Sequence, residues 1–118
     1  MENDNIGNIN NYNNSIDAQL KILNDRIKTQ SIKCNITHKN FIEARDNYKK
    51  ALNKVVVKSK NKTPEQIEAM AFLESEDERK IMVDTENAHK SEKIELDYLN
   101  NEFSRVMELS YNKGKKGV

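Results

Sequence analysis

A long heptad pattern is the feature that most restricts how this chain folds. From Ile16 to Val55, mostly apolar residues recur at alternating steps of four and three, which places them along one stripe of a helix. The pattern predicts a helix of about forty residues that packs lengthwise against another helix. The stripe, here called the first seam, comprises Ile16, Leu20, Leu23, Ile27, Gln30, Cys34, Thr37, Phe41, Ala44, Tyr48, Ala51 and Val55.

The only proline, Pro64, indicates where this helix ends and the next begins. Thr63 precedes it as an N-cap, and Gln66 stands where its amide can complete a capping box. Proline is well tolerated at the first helical position, because its missing N–H would have no intrahelical partner there. We therefore predict a helix over 15–58, a turn over 59–63 and a second helix over 64–112.

The second helix carries a weaker heptad pattern, because the segment "ESEDERK" places acids on it. Each predicted helix has a polar segment near its middle, residues 31–37 in the first and 74–80 in the second. These segments leave open whether either helix is broken there. The predicted second seam comprises Ile67, Ala71, Glu74, Glu78, Ile81, Thr85, Ala88, Glu92, Leu96 or Glu95, Leu99, Phe103, Val106 and Ser110.

Charge divides between the two predicted helices. Residues 15–58 hold ten Lys or Arg against four Asp or Glu, a net charge of +6. Residues 64–112 hold five against thirteen, a net charge of −8. Opposite charges favour pairing of the two helices with each other. The predicted fold is thus all-α, an antiparallel two-helix coiled-coil hairpin in which residue i lies near residue 122 − i, so that Cys34 faces Ala88.

Both ends of the chain differ in composition from the helices. Residues 1–14 are rich in asparagine, which favours turns over helix interiors, and predict a flexible arm. Residues 113–118 predict a basic tail. One cysteine excludes an internal disulfide framework, and the start resembles no signal peptide. No segment approaches the roughly 20 apolar residues that cross a bilayer, so we expect a cytoplasmic protein with no membrane partner.

Two surfaces are predicted to bind proteins. The end of the hairpin that holds the termini has more apolar residues than one partner helix covers. We expect a second copy to pack there, in a homodimer that completes a helical bundle, or a different protein to cover it. Its residues are Leu96, Leu99, Phe103, Val106, Met107, Ile16, Leu20 and Leu23. The second surface is an acidic face that meets a basic partner, formed by Glu74, Glu76, Asp77 and Glu78.

Catalysis and metal binding are disfavoured. Cys34 and His38 are four residues apart, and the hairpin register brings Asp84 and His89 to about the same height, enough donors for zinc. This spacing arises often by chance, however, and a buried thiol with surface histidines is the better interpretation. A Cys–His nucleophile also needs an enclosed cleft that excludes water and holds an oxyanion donor, and a long rod has no such cleft. We predict no enzyme activity, no metal and no cofactor.

Nucleic-acid binding is the main alternative. Lysines cluster at the turn and at the C-terminus, and such groups contact phosphates. The acidic helix between these clusters would repel phosphate, which makes a solubilising role the better interpretation. The clusters are Lys49, Lys50, Lys54, Lys58, Lys60 and Lys62, and Lys113, Lys115 and Lys116.

In size, in Asn/Lys/Ile-rich composition and in the succession from "KTPEQIEAMAFLESEDERK" to "LDYLNNEFSRVMELSY", the chain resembles short coiled-coil early-gene proteins of phages and prophages from low-GC bacteria. That resemblance implies a non-catalytic, phage-encoded helical protein that oligomerises and binds another protein, inhibiting a host enzyme or defence system. It equally admits a DNA- or RNA-binding accessory factor in phage recombination or replication. No functional residue follows from it.

Overall fold

The computed structural model describes residues 8–116, with side chains over 15–112, and every regular element within 8–116 is helical. Helix α1 spans Asn8–Lys58, α2 spans Pro64–Glu74 and α3 spans Glu76–Lys116. The all-α prediction is confirmed. Helix α1 begins seven residues before the predicted start at 15, so the expected arm is helical from Asn8, and residues 1–7 lie outside the described part. Helix α3 likewise extends into the expected tail, of which residues 117 and 118 are not described.

The first seam is buried along α1. All twelve predicted positions are buried or half-buried, which is the outcome a heptad spacing requires when one stripe of a helix packs against a neighbour. The polar middle does not interrupt α1. Thr37 keeps its hydroxyl within the helix, donating to the carbonyl oxygens of Lys33 and Cys34 at 3.1 Å each.

Ser59 closes the C-terminal end of α1. Its hydroxyl donates to the Val55 carbonyl at 2.6 Å, and its N–H donates to the Val56 carbonyl at 3.2 Å. The last carbonyls of a helix have no intrahelical partners, so these bonds satisfy groups that would otherwise be exposed to solvent. Ser59 Oγ also lies 3.9 Å from the Met70 sulfur, which brings the end of α1 against α2.

The predicted capping box at the start of α2 is present. The Thr63 hydroxyl accepts from the Gln66 N–H at 3.3 Å, and the Gln66 amide oxygen accepts from the Thr63 N–H at 3.1 Å. Thr63 has extended backbone angles and Pro64 is the first helical residue, as this cap requires.

The sequence left open whether the second helix is broken near 74–80, and the structure places a one-residue break at Ser75, between α2 and α3. Ser75 is fully buried, and both its hydroxyl and its N–H donate to the Ala71 carbonyl. A serine hydroxyl that bonds back to the preceding turn bends a helix. The Arg79 guanidinium spans the break, donating to the Phe72 carbonyl at 3.1 Å and lying 3.7 Å from the Phe72 ring centre.

At and beyond the break, three positions of the predicted second seam move by one residue, whereas Glu78, Thr85 and Glu92 keep their predicted places. The predicted positions Glu74, Ile81 and Ala88 are exposed, and the residue after each one is buried or half-buried instead. Steps of four from Ile67 to Ala71 and again to Ser75 constitute a stutter, which moves the apolar stripe relative to a strict heptad. The observed row from the break onward is Ser75, Glu78, Met82, Thr85, His89, Glu92, Leu96, Leu99, Phe103, Val106 and Ser110.

Two compact units divide the chain. The terminal unit combines the chain up to Ile32 with the chain from Ile94 onward, and the central unit is Lys33–Lys93. Each unit contains part of α1 and part of α3, and the central unit also contains α2.

Candidate interaction surfaces

Seven of the eight predicted self-association residues are buried or half-buried within the terminal unit. Ile16, Leu99 and Val106 are buried, with Leu99 5% and Val106 2% exposed. Leu20, Leu23, Leu96 and Phe103 are half-buried, and only Met107 is exposed. One pair of helices therefore covers more of this apolar surface than the sequence suggested, since both seams meet within the unit.

A different set of apolar side chains is exposed on the terminal unit. Ile94, Tyr98 and Leu109 are exposed on α3, with Ile94 at 69%. Their spacings of four and eleven residues place them within one sector of the helix, over about 22 Å of its length. All three fall outside both the predicted and the observed second seam, so the heptad spacing already placed them off the stripe that a partner helix covers.

A salt bridge occupies the middle of this outer row. Arg105 donates from Nη2 to Glu102 Oε2 at 2.9 Å and from Nε to Oε1 at 3.3 Å. These hydrogen bonds lower the pKa of the Glu102 carboxyl and raise the pKa of Arg105. The same pair lines an open groove together with Gln19, Ile22, Leu23, Arg26 and Val106.

In the central unit, His89 of α3 contacts two residues of α1. Thr37 Oγ1 lies 3.0 Å from His89 Nδ1, and the His38 and His89 ring centres are 5.2 Å apart. The Thr37 hydroxyl and the His89 ring are thus within hydrogen-bonding distance, which links α1 to α3 in this unit. Ala88, which the sequence placed opposite Cys34, is exposed, and the next residue, His89, is the one that is half-buried and contacts α1.

These groups do not assemble a metal site. Within the described residues, no cluster of three or more His, Cys, Asp or Glu side chains could hold an ion. Cys34 is buried with a free thiol, and Asp84 is exposed. The His89 Nδ1 is engaged with Thr37, so the donors that the sequence placed at one height serve packing and hydrogen bonding.

The predicted acidic face spans the break between α2 and α3. Glu74, Glu76 and Asp77 are exposed, and Glu78 is half-buried. The last three form the first turn of α3, where negative charge is favourable beside the positive end of the helix dipole. Part of the acidic cluster therefore serves to start α3. Glu74 and Glu78 also line an open groove with Asn47, Lys50, Ala51, Lys54, Val55 and Lys58.

Helix α2 exposes apolar side chains that the sequence analysis did not assign to any surface. None of its residues is buried, and Phe72 and Leu73 are 61% and 69% exposed. At the end of α1, Val56 and Val57 are exposed as well. The run "AMAFL" carries apolar residues all round a helix, which was a signal that one neighbour could not cover them.

Comparison with protein-family models, with curated protein sequences and with solved structures gave no match. None of the helices within the described residues is both long and apolar enough to cross a membrane. The assignment of a function therefore depends on the surfaces of the molecule itself.

Proposed function

We propose that this chain is a non-catalytic helical protein that oligomerises and acts by binding other protein chains. The observation that carries the proposal is the distribution of apolar side chains. Among the described side chains, fourteen large apolar residues are exposed, whereas six apolar residues are buried. Single exposed apolar residues are ordinary, but rows at helical spacing mark surfaces that another chain covers.

The proposal includes the antiparallel coiled-coil hairpin as the form in which the surfaces are presented. Three observations support it. Thr37 of α1 contacts His89 of α3, Ser59 contacts Met70 of α2, and a groove in each unit is lined from both sides by residues distant in sequence. In the central unit the two contacts are 52 and 11 residues apart in sequence, as expected for helices that run in opposite directions from a shared turn.

Binding fits the side chains better than catalysis does. The His89 ring bonds to Thr37 and stacks at an angle of 51° on His38, so the polar contact supports packing between helix segments. The grooves are open and lined by lysines, glutamates and aliphatic residues. Open grooves of this kind admit water, whereas electrostatic stabilisation of a reacting group is strongest where water is excluded.

The outer row of the terminal unit gives a direct test. Replacing Ile94 and Tyr98 with lysine should abolish retention of any protein captured by the wild-type chain from a cell lysate, because charge would replace the apolar centre of the surface. Replacing exposed Asn100 and Ser104 of α3 with lysine is the matched control, since it adds the same charge with the same spacing outside the sector of the outer row. Proteins retained equally by all three chains, or by none, would contradict the proposal.

Within this proposal, the bound protein is a host enzyme or defence protein in the cytoplasm, and binding inhibits it. This extension rests on the resemblance to phage early-gene proteins. A direct measurement is the activity of the captured protein with and without an excess of the purified chain, with the Ile94→Lys/Tyr98→Lys variant as control.

A second candidate function is nucleic-acid binding as an accessory factor. The observation that favours it is that all six lysines of residues 49–62 are exposed. The test is a titration of labelled DNA and RNA across salt. Affinity from phosphate contacts falls steeply with salt, so submicromolar binding that persists at about 200 mM salt would place this function first.

A further inference from the structure

The turn end of the central unit carries two charge blocks of equal size and opposite sign. Residues 49–62 hold six lysines and no acid, and we call them the lysine block. Residues 65–78 hold six acids and no basic residue, and we call them the acidic block. The lysine block covers the last turns of α1 and the connection to α2, and the acidic block covers α2 and the first turn of α3.

The blocks face one another across a groove without forming salt bridges. Lys50, Lys54 and Lys58 line one side, and Glu74 and Glu78 line the other. Within the part of the chain that the structure describes, the salt bridges are Glu86–Lys90 and Glu102–Arg105, and neither involves a block residue. Both blocks therefore present charge that the chain itself does not pair at short range.

Apolar side chains lie at the same level of the unit. Glu74 shares the groove with Lys54 and Lys58, which brings the end of α2 level with residues 54–58 of α1. Leu73 precedes Glu74 directly and is 69% exposed, and Val57 on α1 is also exposed. An apolar centre flanked by charge is the usual anatomy of a protein interface.

We propose that this turn end binds a second copy of the chain, with the lysine block of each copy against the acidic block of the other and Leu73 in the contact. This inference rests on the proposed function, which it deepens by naming the surface and the partner. In a two-fold symmetric dimer, the lysine block of each copy meets the acidic block of the other, so that both blocks of both copies are paired at once. A uniformly basic or acidic partner, including nucleic acid, would attract one block and repel the other.

Charge reversal distinguishes contacts between copies from contacts within one copy. One variant carries Lys50→Glu and Lys54→Glu, and the other carries Glu74→Lys and Glu78→Lys. Either variant alone places like charges opposite each other in a symmetric dimer. In a mixture of the two, one copy carries Glu at positions 50, 54, 74 and 78 and the other carries Lys at all four. Every contact between these positions of unlike copies is then attractive. Repulsion within a single copy would not be relieved by mixing.

Sedimentation velocity at about 50 µM protein should show a wild-type dimer, two monomeric variants and a one-to-one heterodimer in the mixture. The dimer should weaken in about 0.5 M salt, where charge pairs are screened. Leu73→Gln should shift the wild-type dimer towards monomer, whereas Leu109→Gln in the terminal unit should leave it unchanged. Circular dichroism of every variant checks that the helices remain folded.

A wild-type monomer at this concentration, dimeric single variants, or helical variants whose mixture stays monomeric would each overturn the inference. Such a failure is separate from a failure of the proposed function. Capture through Ile94 and Tyr98 tests a surface in the terminal unit, and its outcome does not depend on the turn end.

Discussion

Leu99 and Val106 are almost fully buried in the terminal unit, whereas the central unit contains a whole helix, α2, without a buried residue. The contrast follows from the residues on the seams. Leu, Val, Ile and Phe occupy most seam positions of the terminal unit, whereas α3 in the central unit has Met82 as its one apolar seam residue among Ser75, Glu78, Thr85, His89 and Glu92. Polar seam residues bury less apolar area, so the central unit is held more by caps and hydrogen bonds.

The two units therefore differ in how they use their apolar residues. Apolar residues on the seam of the terminal unit stabilise the fold and are withdrawn from the surface. Apolar residues of α2 contribute little to the core and remain accessible. A protein that binds others needs both kinds, since a surface can be presented only by a folded chain.

The largest expected effect tests the core of the terminal unit. Leu99→Ala should lower the free energy of unfolding by about 2–5 kcal/mol, because it removes a buried side chain and leaves a cavity. Leu109→Ala, at an exposed position on the same helix, should cost much less. Urea denaturation followed by circular dichroism measures the free energy of unfolding of both variants. Similar losses would mean that Leu99 contributes no more to the core than Leu109 does.

A pair of neighbouring substitutions tests the phase of α3 in the central unit. Met82→Asp should destabilise the protein by about 1–3 kcal/mol, since Met82 is half-buried on the observed seam. Ile81→Asp introduces the same residue at an exposed position and should be milder by most of that amount. Because the helix propensities of ordinary residues span only about 0.7 kcal/mol, a difference larger than that reports burial. A larger effect at Ile81 would mean that Ile81, and not Met82, packs on the seam, as the strict heptad predicts.

The cap of α2 should have a moderate effect. Thr63→Ala removes the hydroxyl that accepts from the Gln66 N–H and should cost about 1 kcal/mol. Thr29→Ala, at an exposed position inside α1, is the matched control and should be neutral or slightly stabilising, because alanine favours helix interiors. Thermal unfolding distinguishes the two, and equal behaviour would show that the cap does not contribute to stability.

The smallest effect concerns the Glu102–Arg105 pair. The depressed pKa of Glu102 means that its contribution to stability is present above the ordinary carboxyl pKa and is lost as pH falls through the lowered value. Arg105→Gln should raise the pKa of Glu102 towards its ordinary value of 4.5, as followed by NMR titration of the carboxyl. The effect on unfolding should be slight, since exposed ion pairs contribute little. An unchanged pKa would show that the pair is not formed in solution.

Local sequence determined those features that depend on neighbours along the chain. The first seam followed from spacing, because every seven residues return to the same side of a helix, and all twelve positions are buried or half-buried in α1. The capping box followed from the order of Thr63, Pro64 and Gln66, because its bonds span three residues. Neither feature requires knowledge of what the helix packs against.

Packing decided the rest. The break at Ser75 depends on a hydroxyl that is bonded to Ala71 and fully buried, and the shift in phase beyond it moved Met82 and His89 inward. The division of apolar residues into core and surface also depended on which helix segments meet. Spacing assigned Ile81 to the seam and left Met82 off it, whereas the structure exposes Ile81 and half-buries Met82. Which of these two neighbours turns inward depends on the break at Ser75, and that break depends on packing that spacing along one helix cannot specify.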